Sequence, residues 1–286
     1  MVDAGLVVVD KSPGMTSHDV VARVRRLAGT RKVGHAGTLD PMATGVLVLG
    51  VDRATRLLGH LMLTEKSYDA TIRLGVVTTT DDAEGEVVST HDTSGVREDD
   101  VRTELARFVG DIEQVPTAVS AIKVDGQRAY ARVRAGEQVE LKARPVTIHD
   151  LVVHDVALPE VRISVRCSSG TYIRAIARDL GAALGVGGHL TALRRTAVGP
   201  FDLSVARTLD ELADHFAVLP IADAARSTFP VVDLTDEQAA HVRFGRALDL
   251  TVPADGPHAV FAPDGEFLAL YEQSGTRARP VAVFVQ

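Results

Sequence analysis

The sequence predicts an α+β protein with a large mixed part and a small strand-rich tail. Three observations lead there. Residues 67–74 alternate, with Tyr68, Ala70, Ile72 and Leu74 on one face and Ser67, Asp69, Thr71 and Arg73 on the other; Val161, Ile163, Val165 and Cys167 repeat the pattern. Helical spacing recurs between such stretches, but without a strict βαβ order, so α+β fits better than a doubly wound sheet. Near the end, Ala262-Pro263-Asp264-Gly265 separates two apolar runs, a strong hairpin signal.

The elements follow in order. Residues 5–10 read as a buried strand. Thr16 is placed to cap a helix, with Asp19 three residues on at capping-box spacing, and Val20, Val21, Val24 and Leu27 follow at helical intervals up to a stop at Gly29. The run 46–51 is apolar throughout, as in a buried strand. Residues 151–156 form a further strand, and helices are expected over 97–109, 173–184 and 209–216. Residues 222–227 are small and polar, and Phe229-Pro230 opens a new strand-rich pattern, so a boundary is expected near 225–230: one domain over 1–227, a second over 228–286. In the second, 258–261 and 266–271 flank the hairpin turn and 279–285 supplies a last strand.

Composition sets outer bounds. A chain of 286 residues with 45% hydrophobic content can bury a sizeable core. No apolar stretch approaches membrane-spanning length and the N-terminus lacks a basic-then-apolar signal, so a cytoplasmic protein is expected. The single cysteine, Cys167, excludes an internal disulfide and any cysteine-based zinc site. The net charge of −7 is unevenly spread: residues 1–60 carry +3 and 121–200 carry +5, against −8 over 61–120 and −7 over 201–286. Binding of a polyanion depends on local basic surface rather than on the total. Arg23, Arg25, Arg26, Arg31 and Lys32 could meet phosphates; a solvated helix face is the ordinary alternative.

The most informative stretch is Gly34-His35-Ala36-Gly37-Thr38-Leu39-Asp40-Pro41. It sets one carboxylate, Asp40, on a loop shaped by two glycines and a proline, beside a buried strand. Such a carboxylate suits a nucleophile or general base; an Asp-Pro turn cap is the bland reading. Other chemistries find little support. There is no phosphate-binding loop, no dinucleotide fingerprint (Gly185-Val186-Gly187-Gly188 reads as a loop) and no Gly-x-Ser-x-Gly. Asp81, Asp82, Glu84 and Glu86, with His91 and Asp92 nearby, lack calcium-loop spacing and read as an acidic solvated turn.

The Asp40 loop, with Asp10-Lys11-Ser12-Pro13-Gly14-Met15-Thr16-Ser17 before it, resembles the catalytic motif of the bacterial tRNA pseudouridine synthase B (TruB) family. The resemblance continues through Lys66-Ser67-Tyr68-Asp69-Ala70, Ser120-Ala121-Ile122-Lys123-Val124-Asp125-Gly126, Ser169-Gly170-Thr171-Tyr172-Ile173-Arg174 and Leu193-Arg194-Arg195-Thr196-Ala197-Val198-Gly199. The blocks keep the family's order. The resemblance implies a pseudouridine-synthase-like catalytic domain built on a large sheet, and its ending resembles, more weakly, the small PUA-type RNA-binding domain. It implies isomerisation of uridine to pseudouridine in the tRNA T-loop, at the position conventionally numbered 55, by an enzyme that flips the base out and depends on Asp40. Arg174 matches the active-site arginine, and Tyr68 the tyrosine that stacks on the base and takes the C5 proton. His35 matches the histidine that keeps the base flipped, Tyr172 a second tyrosine near the aspartate, and Leu193 an apolar wall. Lys123, in a matched block, is taken as backbone contact or fold support. Read without the family, Tyr68, Tyr172 and Leu193 are core residues and Arg174 a surface helix residue.

The reaction breaks N1–C1′, turns the base and joins C5 to C1′, with no redox or phosphoryl step, so no cofactor and no metal are expected. The expected partner is the tRNA T-arm, without guide RNA or membrane, and the family suggests a monomer. Two competing readings are a non-catalytic RNA-binding protein or RNA-folding factor on the same fold, and an Asp-dependent hydrolase. The first needs no such combination of Asp40, Tyr68 and Arg174. The second calls for a further partnered carboxylate or a metal site, and the motif blocks offer neither.

Overall fold

The computed structural model describes residues 3–117, 123–124, 127–128, 141–253 and 256–285. It opens with β1 (Gly5–Lys11), α1 (Ser17–Ala28), β2 (Val33–His35) and β3 (Thr44–Val51), then the short α2 (Leu58–Leu61) and β4 (Lys66–Leu74). A hairpin of β5 (Val76–Thr78) and β6 (Val87–Thr90) leads to α3 (Glu98–Ala106) and β7 (Gly110–Gln114), with β8 (Lys123–Val124) and β9 (Gln127–Arg128) paired beyond it. β10 (Arg144–Ala157), β11 (Glu160–Cys167), α4 (Ile173–Ala183), β12 (Gly188–Val198) and β13 (Phe201–Asp202) follow. α5 (Leu209–Asp214), β14 (Leu219–Pro220) and α6 (Ile221–Thr228) come next. The tail holds β15 (Val231–Asp233), α7 (Asp236–Arg243), β16 (His258–Phe261), β17 (Phe267–Ser274) and β18 (Arg277–Val283).

Local chemistry explains the first turn of the chain. The Thr16 side chain accepts from the Asp19 backbone N–H while Asp19 accepts from Thr16, and Gly29 ends α1 in the left-handed region at φ 63°. The spacing of Val20, Val21 and Val24 turns one stripe of α1 inward, and all three are buried.

Ten strands make one sheet in the order β14-β1-β3-β12-β4-β11-β10-β7, with β2 and β13 joined to β3 and β12. β1 and β3 are buried on both faces. Val7, Val9, Leu47 and Leu49 point into a core shared with α1 and α4, while Leu6, Val8, Val46 and Val48 point into a second core. That double burial is why both strands read as unbroken apolar runs. β4 and β11 alternate instead, with Ala70, Ile72, Val161, Ile163 and Val165 buried and Asp69, Arg73 and Arg162 exposed.

The second core joins the two ends of the chain. Leu6, Val8, Val46 and Val48 pack with Ala224 and Ala225 of α6 and with Phe261, Phe267 and Phe284 of the tail. Arg53 and Arg56 donate to the carbonyls of Phe284 (3.2 Å) and Val283 (2.7 Å). The tail's sheet has the order β15-β16-β17-β18 and keeps a third core beneath α7.

Two local expectations change. The polar stretch 222–227 belongs to α6, because Ile221, Ala224 and Ala225 fall on one helical face and bury there. Residues 188–198, to which sequence spacing gave no element, form β12, which lies between β3 and β4 in the large sheet.

Candidate active site

Asp40 sits just before β3, and three elements and the β1–α1 loop hold its own loop. The Ser17 hydroxyl donates to the Leu39 carbonyl (3.1 Å) and accepts from the Leu39 N–H (2.9 Å). Lys11, fully buried, donates to the carbonyls of Pro41 (3.0 Å), Met15 (2.8 Å) and Ser12 (3.0 Å). Arg195 of β12 reaches the carbonyls of Thr38 and Gly37, both at 3.3 Å. The Gly14 N–H donates to the Pro41 carbonyl at 2.9 Å. The glycines are required: Gly37 has φ 93°, and Gly45, at φ 97°, would place a Cβ 2.1 Å from the Arg195 carbonyl.

Arg174 meets Asp40 at two points, Nε to Oδ2 at 3.1 Å and Nη2 to Oδ1 at 3.2 Å. It is buried in the first turn of α4, while the Asp40 side chain stays 31% exposed. The two-point pairing fixes the plane of the carboxylate. The start of α4 is itself fastened: the Tyr172 N–H donates to Gln114 Oε1 (2.8 Å) and Gln114 Nε2 donates back to the Tyr172 carbonyl (3.0 Å).

Arg174 also donates to the Thr80 carbonyl at 2.9 Å and lies 3.5 Å from Asp82 Oδ2. Asp82 is buried, so the acidic turn is solvated only in part: Glu84 and Glu86 are exposed, while Asp82 faces Arg174. Thr80 Oγ1 and the Glu84 N–H donate to the remaining Asp82 oxygen. Sequence spacing missed this role, because four carboxylates within six residues look solvated until the distant cation is known.

Tyr68 lies half-buried on β4, with its side chain packed against the α1/α4 core. Burial pushes its phenol above the ordinary tyrosine value, and the Arg195 charge works against that rise. Leu193, on β12 opposite Ala70 of β4, is buried. His35 ends β2, and its ring meets the His18 ring edge-on with centroids 5.6 Å apart. The Lys123 backbone lies on β8; its side chain is outside the described residues. The geometry therefore joins Asp40 directly to Arg174, while Arg195 bonds the Gly37–Thr38 approach to Asp40 and stands opposite Tyr68 in the β12–β4 ladder. His35 stands on an adjoining strand. Among the described residues, no group of three or more His, Cys, Asp or Glu is placed to hold a metal ion, and no helix is long and apolar enough to cross a membrane.

The mixed sheet that carries the Asp40–Arg174 pair is the sheet of a pseudouridine synthase, as the family comparison shows. The chain belongs to the TruB family: the model for the N-terminal domain of TruB family pseudouridylate synthases matches residues 25–173. Models for the C-terminal domain of tRNA pseudouridylate synthase B and for the C-terminal region of tRNA pseudouridine synthase II match 174–225 and 229–285. The tRNA pseudouridine synthase B of Arthrobacter sp. (strain FB24) is 58% identical over 295 residues, covering 98% of this chain and 96% of that one. That of Nocardia farcinica (strain IFM 10152) is 60% identical over 284 residues, covering 98% and 92%. Among solved structures, a Cbf5-Nop10-Gar1 complex superposes with a TM-score of 0.77 at 27% identity, covering 98% of this chain and 85% of that chain. An H/ACA RNP bound to a substrate RNA containing 2′-deoxyuridine superposes with a TM-score of 0.76 at 26% identity, covering 99% and 85%.

Proposed function

We infer that this protein isomerises uridine to pseudouridine in tRNA, acting without guide RNA on the T-loop uridine at position 55. The observation that carries the reading is the half-exposed Asp40 carboxylate held at two points by buried Arg174. Binding alone has no use for an ionised carboxylate in a site that must accept a polyanion; bond exchange at C1′ does. Relatives named tRNA pseudouridine synthase B, 58–60% identical over nearly the whole chain, support tRNA as the substrate.

The residues divide the work. Asp40 supplies the anion, toward either C6 of the base or C1′ of the sugar, and Arg174 orients its oxygens. Tyr68 stacks on the flipped base and is the acceptor for the C5 proton; burial keeps its phenol protonated, so a phenolate has to form during turnover. His35 holds the base out of the loop, Leu193 walls the pocket, and Tyr172 packs beside the aspartate. Flipping costs a few kcal/mol, least for a loop base, and stacking returns about 1–3 kcal/mol per base. Lys123 contacts the RNA backbone or supports the fold. The catalytic part spans residues 1–227, and residues 228–286 form a PUA-like RNA-binding unit. On this reading the enzyme is a cytoplasmic monomer that needs no cofactor or metal.

Purified protein alone, given an unmodified T-arm hairpin, tests the proposal. Pseudouridine should form at position 55 and at no other uridine. A hairpin left unmodified while intact tRNA is converted would reject the T-arm as the recognised unit.

A further inference from the structure

Arg195 is one of the largest fully buried side chains in the molecule. Its Nε donates to the Val46 carbonyl at 2.7 Å, and its two terminal nitrogens reach the carbonyls of Thr38 and Gly37 at 3.3 Å each. Among the described residues no carboxylate pairs with it. A buried guanidinium whose partners are neutral oxygens, here three carbonyls and the Tyr68 phenol, keeps most of its charge uncompensated, and it favours any anion that forms beside it. Two buried lysines register that field. Burial is the main cause that lowers Lys11 and Lys66 to about 8, and repulsion from Arg195 adds to it in both.

In the β12–β4 ladder, Arg195 stands opposite Tyr68. Its charge and a side-chain hydrogen bond both oppose the rise that burial imposes on the Tyr68 phenol, while Asp40 and Cys167, the other titratable groups facing that phenol, both add to the rise. The residue thus bonds the approach to the nucleophile's loop on one side and faces the tyrosine on the other.

We propose that Arg195 is a positioning residue for the isomerisation: it fixes the Gly37–Thr38 approach to Asp40 and favours the Tyr68 phenolate that removes the C5 proton. The second half rests on reading Tyr68 as the C5 base. The step balances without any co-reactant. The phenol first yields its proton to water. After C5 has joined C1′, the C5–H bond breaks and its proton goes to the phenolate oxygen. The C5–H electron pair forms the C5–C6 double bond, the C6–N1 pair moves onto N1, and N1 takes a proton from solvent.

Single-turnover kinetics on T-arm RNA carrying 5-deuterouridine test this, with circular dichroism and tRNA binding as checks on folding. Wild type should show little isotope effect if the C5 proton leaves quickly. Arg195→Gln removes the charge, and it should slow turnover about 10–100-fold and expose an isotope effect of about twofold or more. Arg195→Lys keeps a charge, and it should lose rate through the looser loop with a smaller isotope effect. A slowed Arg195→Gln without an isotope effect, or equal effects in both variants, overturns the proposal. Should Arg195→Gln fail to fold, Arg195→Lys decides alone: its isotope effect must grow as rising pH strips the lysine charge, and a flat profile overturns the proposal. Tyr68→Phe reports separately on the reading beneath: wild-type turnover in that variant would reject Tyr68 as the C5 base whatever Arg195 does.

Discussion

At the scale of single residues, the site is a set of buried cations arranged around one carboxylate. Arg174 is oriented by Asp82 and the Thr80 carbonyl before it meets Asp40. Asp82→Ala removes that second anchor and leaves Asp40 untouched, so kcat should fall about tenfold or more while tRNA affinity holds, because phosphate contacts supply most of the binding. Rapid-quench single turnover with filter binding checks this, and a loss confined to affinity would contradict it. Lys66 yields a pH prediction. Its Nζ donates to the Met62 and Thr64 carbonyls, and burial lowers it from 10.5 to about 8. Between those values the unfolded chain holds a proton that the folded chain has shed, so this lysine makes the fold more stable as pH rises through the window. Lys66→Met lacks the gain. Its stability relative to wild type should therefore fall from pH 8 to pH 10 in denaturant titrations, and a constant difference would show that the amine stays charged.

At the scale of elements, the outcome turns on how strand β12 meets its neighbours. It runs parallel to β3, with Arg195 opposite Gly45, whose absent side chain lets the two backbones meet. Gly45→Ala forces a collision with that backbone besides the strain of a positive φ. It should cost about 2–4 kcal/mol, as core steric errors do. Gly14→Ala, at φ 82° with open space around it, should cost only the left-handed penalty of about 1–2 kcal/mol. Thermal melts of the two variants should differ by several degrees, and equal melting points would mean β3 and β12 can separate cheaply. β12 also marks where sequence reading stopped. The capping box of α1, the alternation of β4 and β11 and the tail hairpin were all legible, because each is set by local chemistry. Residues 188–198 carry glycine, histidine and two arginines in the middle of a sheet, and that is affordable only because Arg195 finds carbonyl oxygens from β3 and the Asp40 loop. Asp82 escaped for the same reason, since its partner Arg174 lies 92 positions away. Asp40 was singled out through the resemblance of its loop, because its spacing alone favoured a turn cap. The helix over 221–228 was not legible, because a short run of small and polar residues shows no helical face until a core covers one side.

At the scale of the whole molecule, the tail and the catalytic sheet share a core. Phe261, Phe267 and Phe284 pack with Leu6, Val8, Val46 and Val48, and Arg53 and Arg56 clasp the carbonyls of Phe284 and Val283. Burying those phenylalanines is worth roughly 1.5–3 kcal/mol each. Removing residues 228–286 therefore exposes apolar surface on β1 and β3. The truncated chain should melt well below the full chain or aggregate, and the full chain should unfold in one calorimetric transition. Two separated transitions would mean that the tail folds alone. The reaction needs no electron or phosphoryl acceptor, and activity on a T-arm hairpin should survive EDTA; loss restored by a divalent ion would reveal a metal requirement. Asp40→Asn tests the proposed role of the Asp40 carboxylate most directly. Single-turnover pseudouridine formation on an unmodified T-arm hairpin should fall by at least about a thousandfold, a typical scale for losing a catalytic group, while filter binding by the same preparation stays within about threefold of wild type, since phosphate contacts supply the affinity. Turnover above a thousandth of the wild-type rate would contradict the assignment of Asp40 as the reacting group.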